Sequence, residues 1–281
     1  MTTPNYDHNM ARFAQFPGLG QVCRLGLATR GNTHLDLQSV NEAIHRGINY
    51  VNWCGRDDGL SQAIASMNKQ QRQGLFIATQ LSARDRIGAE RELTNYLRQL
   101  KTDYIDVLTY YYVEHEDEWE RIMAPDGAAK TVQRAKLDGR VRSIGLTSHQ
   151  RSLAATIAQS GQLDMLMIRY NAAHRGAEQD VFPITKQRGM PVVTFTAQRW
   201  GALMKNTPDD PPNYQPPIGA AWYRFVLCHK QVTVAIMAPN GCDDLEQNLQ
   251  LLDDWHSLDA DEFQQMRAHG DRVRRHAGHF V

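Results

Sequence analysis

The sequence predicts a single-domain α/β fold, a parallel (β/α)8 TIM barrel with an extra C-terminal helix, and three observations carry that expectation. Short apolar runs alternate with stretches of helical periodicity eight times along the chain. The run Met165–Ile168 is unbroken by polar residues, as a strand covered on both faces must be. A length of 281 residues holds eight such units and a large core without a second domain. A doubly wound open sheet is the alternative closure of the same alternation.

The elements follow in order. After a polar leader (residues 1–20), Leu25–Thr29 forms a strand, and Leu37, Val40, Ala43 and Ile44 at helical spacing predict a helix over Leu37–His45 that Gly47 ends. Ile48–Cys54 is rich in β-formers and gives the second strand. Helix Leu60–Met67, strand Leu75–Leu81, helix Glu90–Leu100, strand Tyr104–Tyr112 and one long helix Trp119–Leu137 continue the rhythm. Val141–Thr147, Met165–Tyr170, Pro191–Ala197 and Val232–Ala238 are the remaining strands, followed by helices Leu153–Gln159, Ala177–Arg188, Ala220–His229 and Leu245–Leu252. The tail, residues 259–281, reads as an outer helix whose basic run Arg272–Arg275 faces solvent. Lys205–Pro217 holds five prolines and forms no regular element; on a barrel it sits at the mouth, as a lid or as a rigid loop.

Composition narrows the function classes. Lys+Arg and Asp+Glu are equal at 31 each, so no overall field draws the chain to nucleic acid or to an anionic membrane, and anion recognition has to be local. Cys23, Cys54, Cys228 and Cys242 lie far apart without metal-ligand or disulfide-dense spacing, which points to a reduced, cytoplasmic protein without a metal. No signal sequence or apolar run of spanning length is present.

Chemistry gathers where the strands end. Behind Met165–Ile168 come Arg169, Tyr170, Asn171, His174, Arg175 and Glu178, and a polar set at the C-terminal end of a strand is how α/β folds build sites. An internal Arg169–Glu178 ion pair and a loop cap at His174–Arg175 are the structural alternative. His149 closes the fifth strand and Gln198, Arg199 and Trp200 follow the seventh, all directed at the mouth. Arg169, Arg175 and Arg199 together suit a carboxylate or phosphate, so the expected partner is a small anionic or polar molecule.

Several segments also match one family in order: LGLAT, RGINYVNW, LKTDYIDVLTYYY, GRVRSIGLTSH, MIRYNAAHRGAE and DDLEQNL, from about residue 20 to 252. On these the chain resembles the aldo/keto reductases. The resemblance implies a nicotinamide nucleotide across the barrel mouth and hydride transfer to an aldehyde or ketone. It also implies an Asp, a Tyr acid, a Lys and a His at the ends of strands two to four. Those positions fall on Asn52, Asp57, Gln80 and Tyr111, and all four depart from the pattern. An aspartate carboxyl at position 57, unless burial raises it strongly, is already ionised at neutral pH and repels a developing alkoxide, and Gln80 supplies no cation. The catalytic set would then be non-standard, with Asp57, Tyr111 and His149 as its titrating members.

On the cofactor side the resemblance assigns Thr147 and Ser148 to the nicotinamide amide, puts Met167 where a cofactor-binding Gln often stands, and gives Phe195 to stacking on the ring and Gln247 and Asn248 to the adenine. Asp244 stands where members that prefer NADPH carry an Arg, and repulsion of a 2′-phosphate there favours NAD(H) over NADP(H), or no dinucleotide at all. The expected function is a divergent oxidoreductase. A non-redox lyase, isomerase or hydrolase using Asp57, His149, Arg169 and His174 is one alternative, and an inactive ligand-sensing or partner protein is the other.

Overall fold

A computed structural model describes residues 6–7, 9–29 and 35–276, so residues 1–5 and 8 of the leader and 277–281 of the tail fall outside it. The strands are β1 (Phe13–Phe16), β2 (Gly20–Cys23), β3 (Leu25–Ala28), β4 (Tyr50–Trp53), β5 (Phe76–Leu81), β6 (Ile105–Tyr110), β7 (Val141–Ser148), β8 (Met165–Arg169), β9 (Val192–Phe195) and β10 (Val232–Met237). The helices are α1 (Leu37–His45), α2 (Gly59–Ser66), α3 (Lys69–Gln73), α4 (Arg86–Leu100), α5 (Glu116–Met123), α6 (Ala128–Leu137), α7 (Arg151–Gln159), α8 (Ala177–Asp180), α9 (Phe182–Gln187), α10 (Ala220–Leu227), α11 (Cys242–Asp253) and α12 (Ala260–Arg275). Strands β3 to β10 run in parallel in sequence order, and β10 pairs back onto β3 to close the barrel. The (β/α)8 fold is therefore the one the alternation predicts.

Both faces of the strands are apolar for separate reasons. Tyr50, Phe76, Ala78, Val107, Met165, Met167, Val193 and Val234 fill the barrel interior, while Val51, Ile77, Leu108, Leu166, Val192 and Ala235 lie under the helices. Gly145 makes the interior packing possible: a Cβ there would stand 2.2 Å from Met165 Sδ and 2.9 Å from Thr109 Cγ2.

The polar leader carries structure that its composition conceals. Strands β1 and β2 pair antiparallel, and buried Phe16 and Val22 join the barrel interior, Phe16 stacking on Tyr50 with ring centroids 6.1 Å apart. Arg142 Nη2 donates to Gly18 O at 3.1 Å, which fixes the hairpin turn across the N-terminal end of the barrel. Close by, Asp106 is buried and accepts from Arg72 Nη2 (2.9 Å), Arg142 Nη1 (2.8 Å) and the Ile77 amide (2.9 Å).

Two expected helices are each two. Trp119–Leu137 breaks between α5 and α6 at Pro125 and Gly127, where a Cβ on Gly127 would lie 2.2 Å from Ile122 O. Ala177–Arg188 breaks at Val181, with Pro183 in the first turn of α9. The basic run of the tail also differs from expectation, because it is not simply a solvated face. Arg272 Nε donates to Asp210 at 2.5 Å and stands over the Tyr214 ring, while Arg275 donates to Asp209 at 2.8 Å. His269, fully buried, bridges Asp210 and Leu203 O at 3.0 Å each. The Pro-rich loop is thus clamped to α12. Among the described residues no helix is long and apolar enough to cross a membrane, and no cluster of His, Cys, Asp or Glu is placed to hold a metal.

Candidate active site

The C-terminal ends of the strands surround a cavity of about 640 Å³. Strand alternation decides who enters it. In β8 the inward set is Met165, Met167 and Arg169, whereas Leu166, Ile168 and Tyr170 pack outward. In β4, β5 and β7 the same rule delivers Asn52, Gln80 and Thr147, and one step beyond β7 it delivers His149. Phe195, Gln198 and Trp200 complete the sequence-predicted residues in the lining, and Trp200 is 56% exposed, whereas Arg199, expected beside them, is buried outside it. Arg56, Tyr112 and Tyr223 line it as well.

Among the described residues, polar atoms of two of these side chains lack a hydrogen-bond partner. Asn52 and Thr147 are each 1% exposed, and the Asn52 Oδ1 and Thr147 Oγ1 atoms make no hydrogen bond. A buried polar atom left so costs about 1–3 kcal/mol, which a ligand offering a donor removes. Arg169 is half-buried, and no ion pair or side-chain hydrogen bond reaches its guanidinium among the described residues. Burial and the charge of Arg151 both act against its cation, while Glu114 supports it. Burial, then the charge of Arg169, act on Arg199 in the same sense. Burial, then Arg169, Arg199, Arg274 and Arg151, push the imidazole of His174 down to about 4, so it stays neutral in this electropositive corner.

The other predicted residues fall elsewhere. Asp57 is exposed, accepts from Gln62 Nε2 at 3.5 Å and does not line the cavity; Arg56 lines it instead, its backbone carbonyl held by the Trp53 indole at 2.7 Å. Tyr111 lies behind Tyr112, the rings 3.9 Å apart, because β6 stops at Tyr110 and Tyr112 takes φ of 46°. Ser148 points away and accepts from the Gln150 amide at 3.0 Å. Asn171 is fully buried: Nδ2 donates to Thr196 O at 2.8 Å, and Oδ1 accepts from the Ala173 and His174 amides at 3.0 Å each.

Arg175 turns outward to Ala172 O and to Asp271 of α12, the latter at 2.7 Å. Glu178 accepts from Tyr170 at 2.7 Å, so the alternative of an Arg169–Glu178 pair is not the one formed. Gln247 is exposed, and Asn248 is buried with Gln198 Nε2 donating to its Oδ1 at 2.7 Å. Asp244 accepts from the Asn240 amide at 2.9 Å and so caps its own loop.

The mouth also concentrates backbone strain. Thr196 (φ 60°), Arg199 (50°) and Trp200 (50°) occupy the left-handed region within one turn after β9, and for the β-branched Thr196 this is a costly conformation. Asn171 holds the Thr196 carbonyl in place, which gives that buried amide a structural task.

Comparison with known proteins bears on this geometry. A model of the Aldo/keto reductase family matches residues 25–218. The chain belongs to that family. The NADH-specific methylglyoxal reductase of Escherichia coli (strain K12) is 25% identical over 113 residues, 40% of this chain and 33% of the relative, so the match spans about a third of that protein. The holo form of an aldo-keto reductase from Bacillus halodurans superposes with a TM-score of 0.72 at 19% identity, covering 92% of this chain and 96% of the other. An aldo-keto reductase from Klebsiella pneumoniae in complex with NADPH gives 0.73 at 16%, covering 92% and 95%. A glycerol dehydrogenase from Gluconobacter oxydans gives 0.69 at 17%, covering 96% and 97%. These likenesses establish the shared barrel.

For an aldo/keto reductase family member, sequence reasoning missed one feature that no single segment displays. Glu114 Oε1 accepts from the His149 amide at 2.8 Å and faces its Nδ1 at 3.3 Å, joining the loops after β6 and β7. The only signal was an acid placed just beyond an apolar strand. Arg56 was hidden for a related reason, since it lies beyond the end of β4, where the indole of Trp53 holds its carbonyl and strand parity no longer applies.

Proposed function

We propose that the chain is an oxidoreductase that binds a nicotinamide nucleotide in the barrel mouth and acts on a small anionic or polar carbonyl compound, or the corresponding alcohol. The observation that carries the reading is Arg169, a half-buried cation lining the cavity with no ion-pair partner among the described residues. An open cavity speaks for a working site and against a collapsed, purely structural scaffold.

The residues present fit a nicotinamide. The unpaired Thr147 hydroxyl would meet its amide, and Phe195 and Met167 would supply apolar contact to the ring. When bound, the nucleotide carries the hydride. This chain's own residues do the rest: Arg169 holds the anionic end of the substrate, Asn52 Oδ1 accepts from a hydroxyl, and Trp200 covers the opening. Asn52, Asp57, Gln80 and Tyr111 in place of the family's usual proton-transfer residues mean that the set is non-standard.

NAD(H) is favoured over NADP(H) on the acidic side chain of Asp244 and on the name of the NADH-specific relative. Calorimetric titration with NADH and NADPH tests the reading. Binding of NADH in the micromolar range, with weaker NADPH, is expected; tighter NADPH overturns the cofactor choice, and no binding of either overturns the redox assignment.

A further inference from the structure

We propose that Glu114 and His149 form a carboxylate–imidazole dyad, and that His149 is the group that exchanges a proton with the substrate. The proposal rests on the redox reading above and names its missing acid. Four observations support it.

His149 lines the cavity, with a side chain 18% exposed. Its ring is oriented from two sides: Glu114 Oε1 faces Nδ1 at 3.3 Å while also accepting the residue's amide at 2.8 Å, so one carboxylate oxygen positions both backbone and ring. A proton on Nδ1 is the one this carboxylate accepts, and Nε2 is then the ring nitrogen for exchange. The imidazole also packs between two aromatics, Tyr112 at 4.6 Å and Phe195 at 5.4 Å with the rings perpendicular. Glu114 also supports the Arg169 cation, so the proton-exchanging group stands in the same corner as the anion-holding one.

The fourth observation is elimination. Asn52 and Gln80 carry no titratable proton, and Asp57 and Tyr111 do not line the cavity. His174 is outside the lining, its Nδ1 against Asn171 Oδ1 at 3.3 Å, and is held neutral. The Tyr223 phenol is raised far above its ordinary range, first by burial and then by Asp244. That leaves Tyr112 as the competing acid. Among the described residues, the charged or titratable groups that face the imidazole include Glu114 on the β6 loop and Tyr112 beside it, and Arg169 on β8 lines the same cavity.

In the reduction, the carbonyl carbon takes a hydride from a dihydronicotinamide and the carbonyl oxygen takes the proton from His149 Nε2. The imidazolium becomes neutral imidazole and is recharged from solvent; a bound dihydronicotinamide would supply the hydride and be oxidised in doing so. The oxidation of an alcohol is the reverse, with His149 as base. Glu114 is a positioning residue that acts through His149, while its own amide donates to Glu118 Oε2 at 2.7 Å.

The test has two arms. In the first, nitrogen-15 NMR follows the His149 ring through a pH titration of the nucleotide-free protein, assigned with His149→Gln. The dyad requires a proton on Nδ1 in the neutral ring, and Glu114→Gln lowers the titration midpoint by about one pH unit or more, the effect of losing a neighbouring opposite charge. A midpoint that Glu114→Gln leaves in place overturns the dyad.

In the second arm, NADH-dependent turnover of glyoxylate, an anionic aldehyde, is compared across variants. His149→Gln lowers kcat by about 100-fold or more with NADH affinity unchanged, Glu114→Gln shifts the pH profile of kcat, and Tyr112→Phe stays within about tenfold. A His149→Gln variant within threefold of wild type overturns the role, and loss on Tyr112→Phe instead hands it to the phenol. Wild type that binds NADH yet leaves glyoxylate untouched also overturns the proton-exchange role while the nucleotide reading stands. Wild type that binds no nucleotide sinks that reading and leaves the dyad to the NMR titration.

Discussion

The two ends of the barrel handle polar groups in opposite ways. At the N-terminal end, the Asp106 carboxylate is 1% exposed and meets two guanidinium groups and an amide, and the β1–β2 hairpin closes the barrel over Phe16. At the C-terminal mouth, Asn52 Oδ1 and Thr147 Oγ1 have no partner and Arg169 has no ion pair among the described residues. Three non-glycine residues after β9 also hold left-handed backbone there. One end is built for stability and the other carries unmet interactions that a ligand would complete. Substitutions at the two ends should therefore separate folding from binding.

The largest effect is expected at the closed end. Asp106→Ala leaves Arg72 without its carboxylate in a buried setting and should cost about 3–5 kcal/mol in urea unfolding. Binding of NADH to the variant that remains folded should be unchanged, and a loss of binding equal to that in the mouth variants would erase the contrast between the ends.

The clamp between the Pro-rich loop and α12 comes next. Burial alone would raise the Asp210 carboxyl, but the Thr207 amide, Arg272 and His269 outweigh it and hold the group down to about 2. The folded value lies below the ordinary 3.8, so this stabilisation is fully present above pH 4 and is lost as pH falls towards 2. Asp210→Asn should destabilise by roughly 2 kcal/mol at neutral pH, from the loss of hydrogen bonds to a charged group, and the gap to wild type should close in acid. A pH-independent gap in thermal melts would show that the loop is held by other contacts.

The electropositive corner at the mouth gives a smaller, pH-dependent effect. His174 is pushed down to about 4 from 6.5, so the unfolded chain takes up a proton that the folded chain refuses. Stability from this group is full above pH 6.5 and drains as pH falls to 4. His174→Gln should flatten that part of the stability profile, and oxalate, an anion offered to Arg169, should flatten it in wild type too. The smallest effect concerns Arg169 itself: Arg169→Met should raise stability by about 0.5–1 kcal/mol, because it removes a cation whose burial outweighs the support of Glu114 and that no ion pair holds among the described residues. Destabilisation instead would mean that the guanidinium holds the fold.

These contrasts also explain what the sequence disclosed. Strand positions were legible because barrel strands are apolar on both faces, and the inward places of Arg169, Thr147 and His149 follow from strand parity. Parity fails where a strand stops: Tyr112 replaces Tyr111 through one left-handed residue, and Arg56 lines the cavity in place of Asp57 beyond β4, its carbonyl held by the Trp53 indole. The hairpin over Phe16 was concealed because only its inward residues need be apolar. The Glu114–His149 contact joins residues 35 apart, and the Asp210 clamp joins loop to tail across 59 positions, distances that local pattern does not reach.

The most direct measurement of the central claim is calorimetric titration of oxalate into wild type and Arg169→Met. An anion site built on Arg169 predicts saturable binding to wild type that weakens at least tenfold in the variant, with no change in NADH affinity. Equal oxalate binding by the two proteins, or none by wild type, would contradict it.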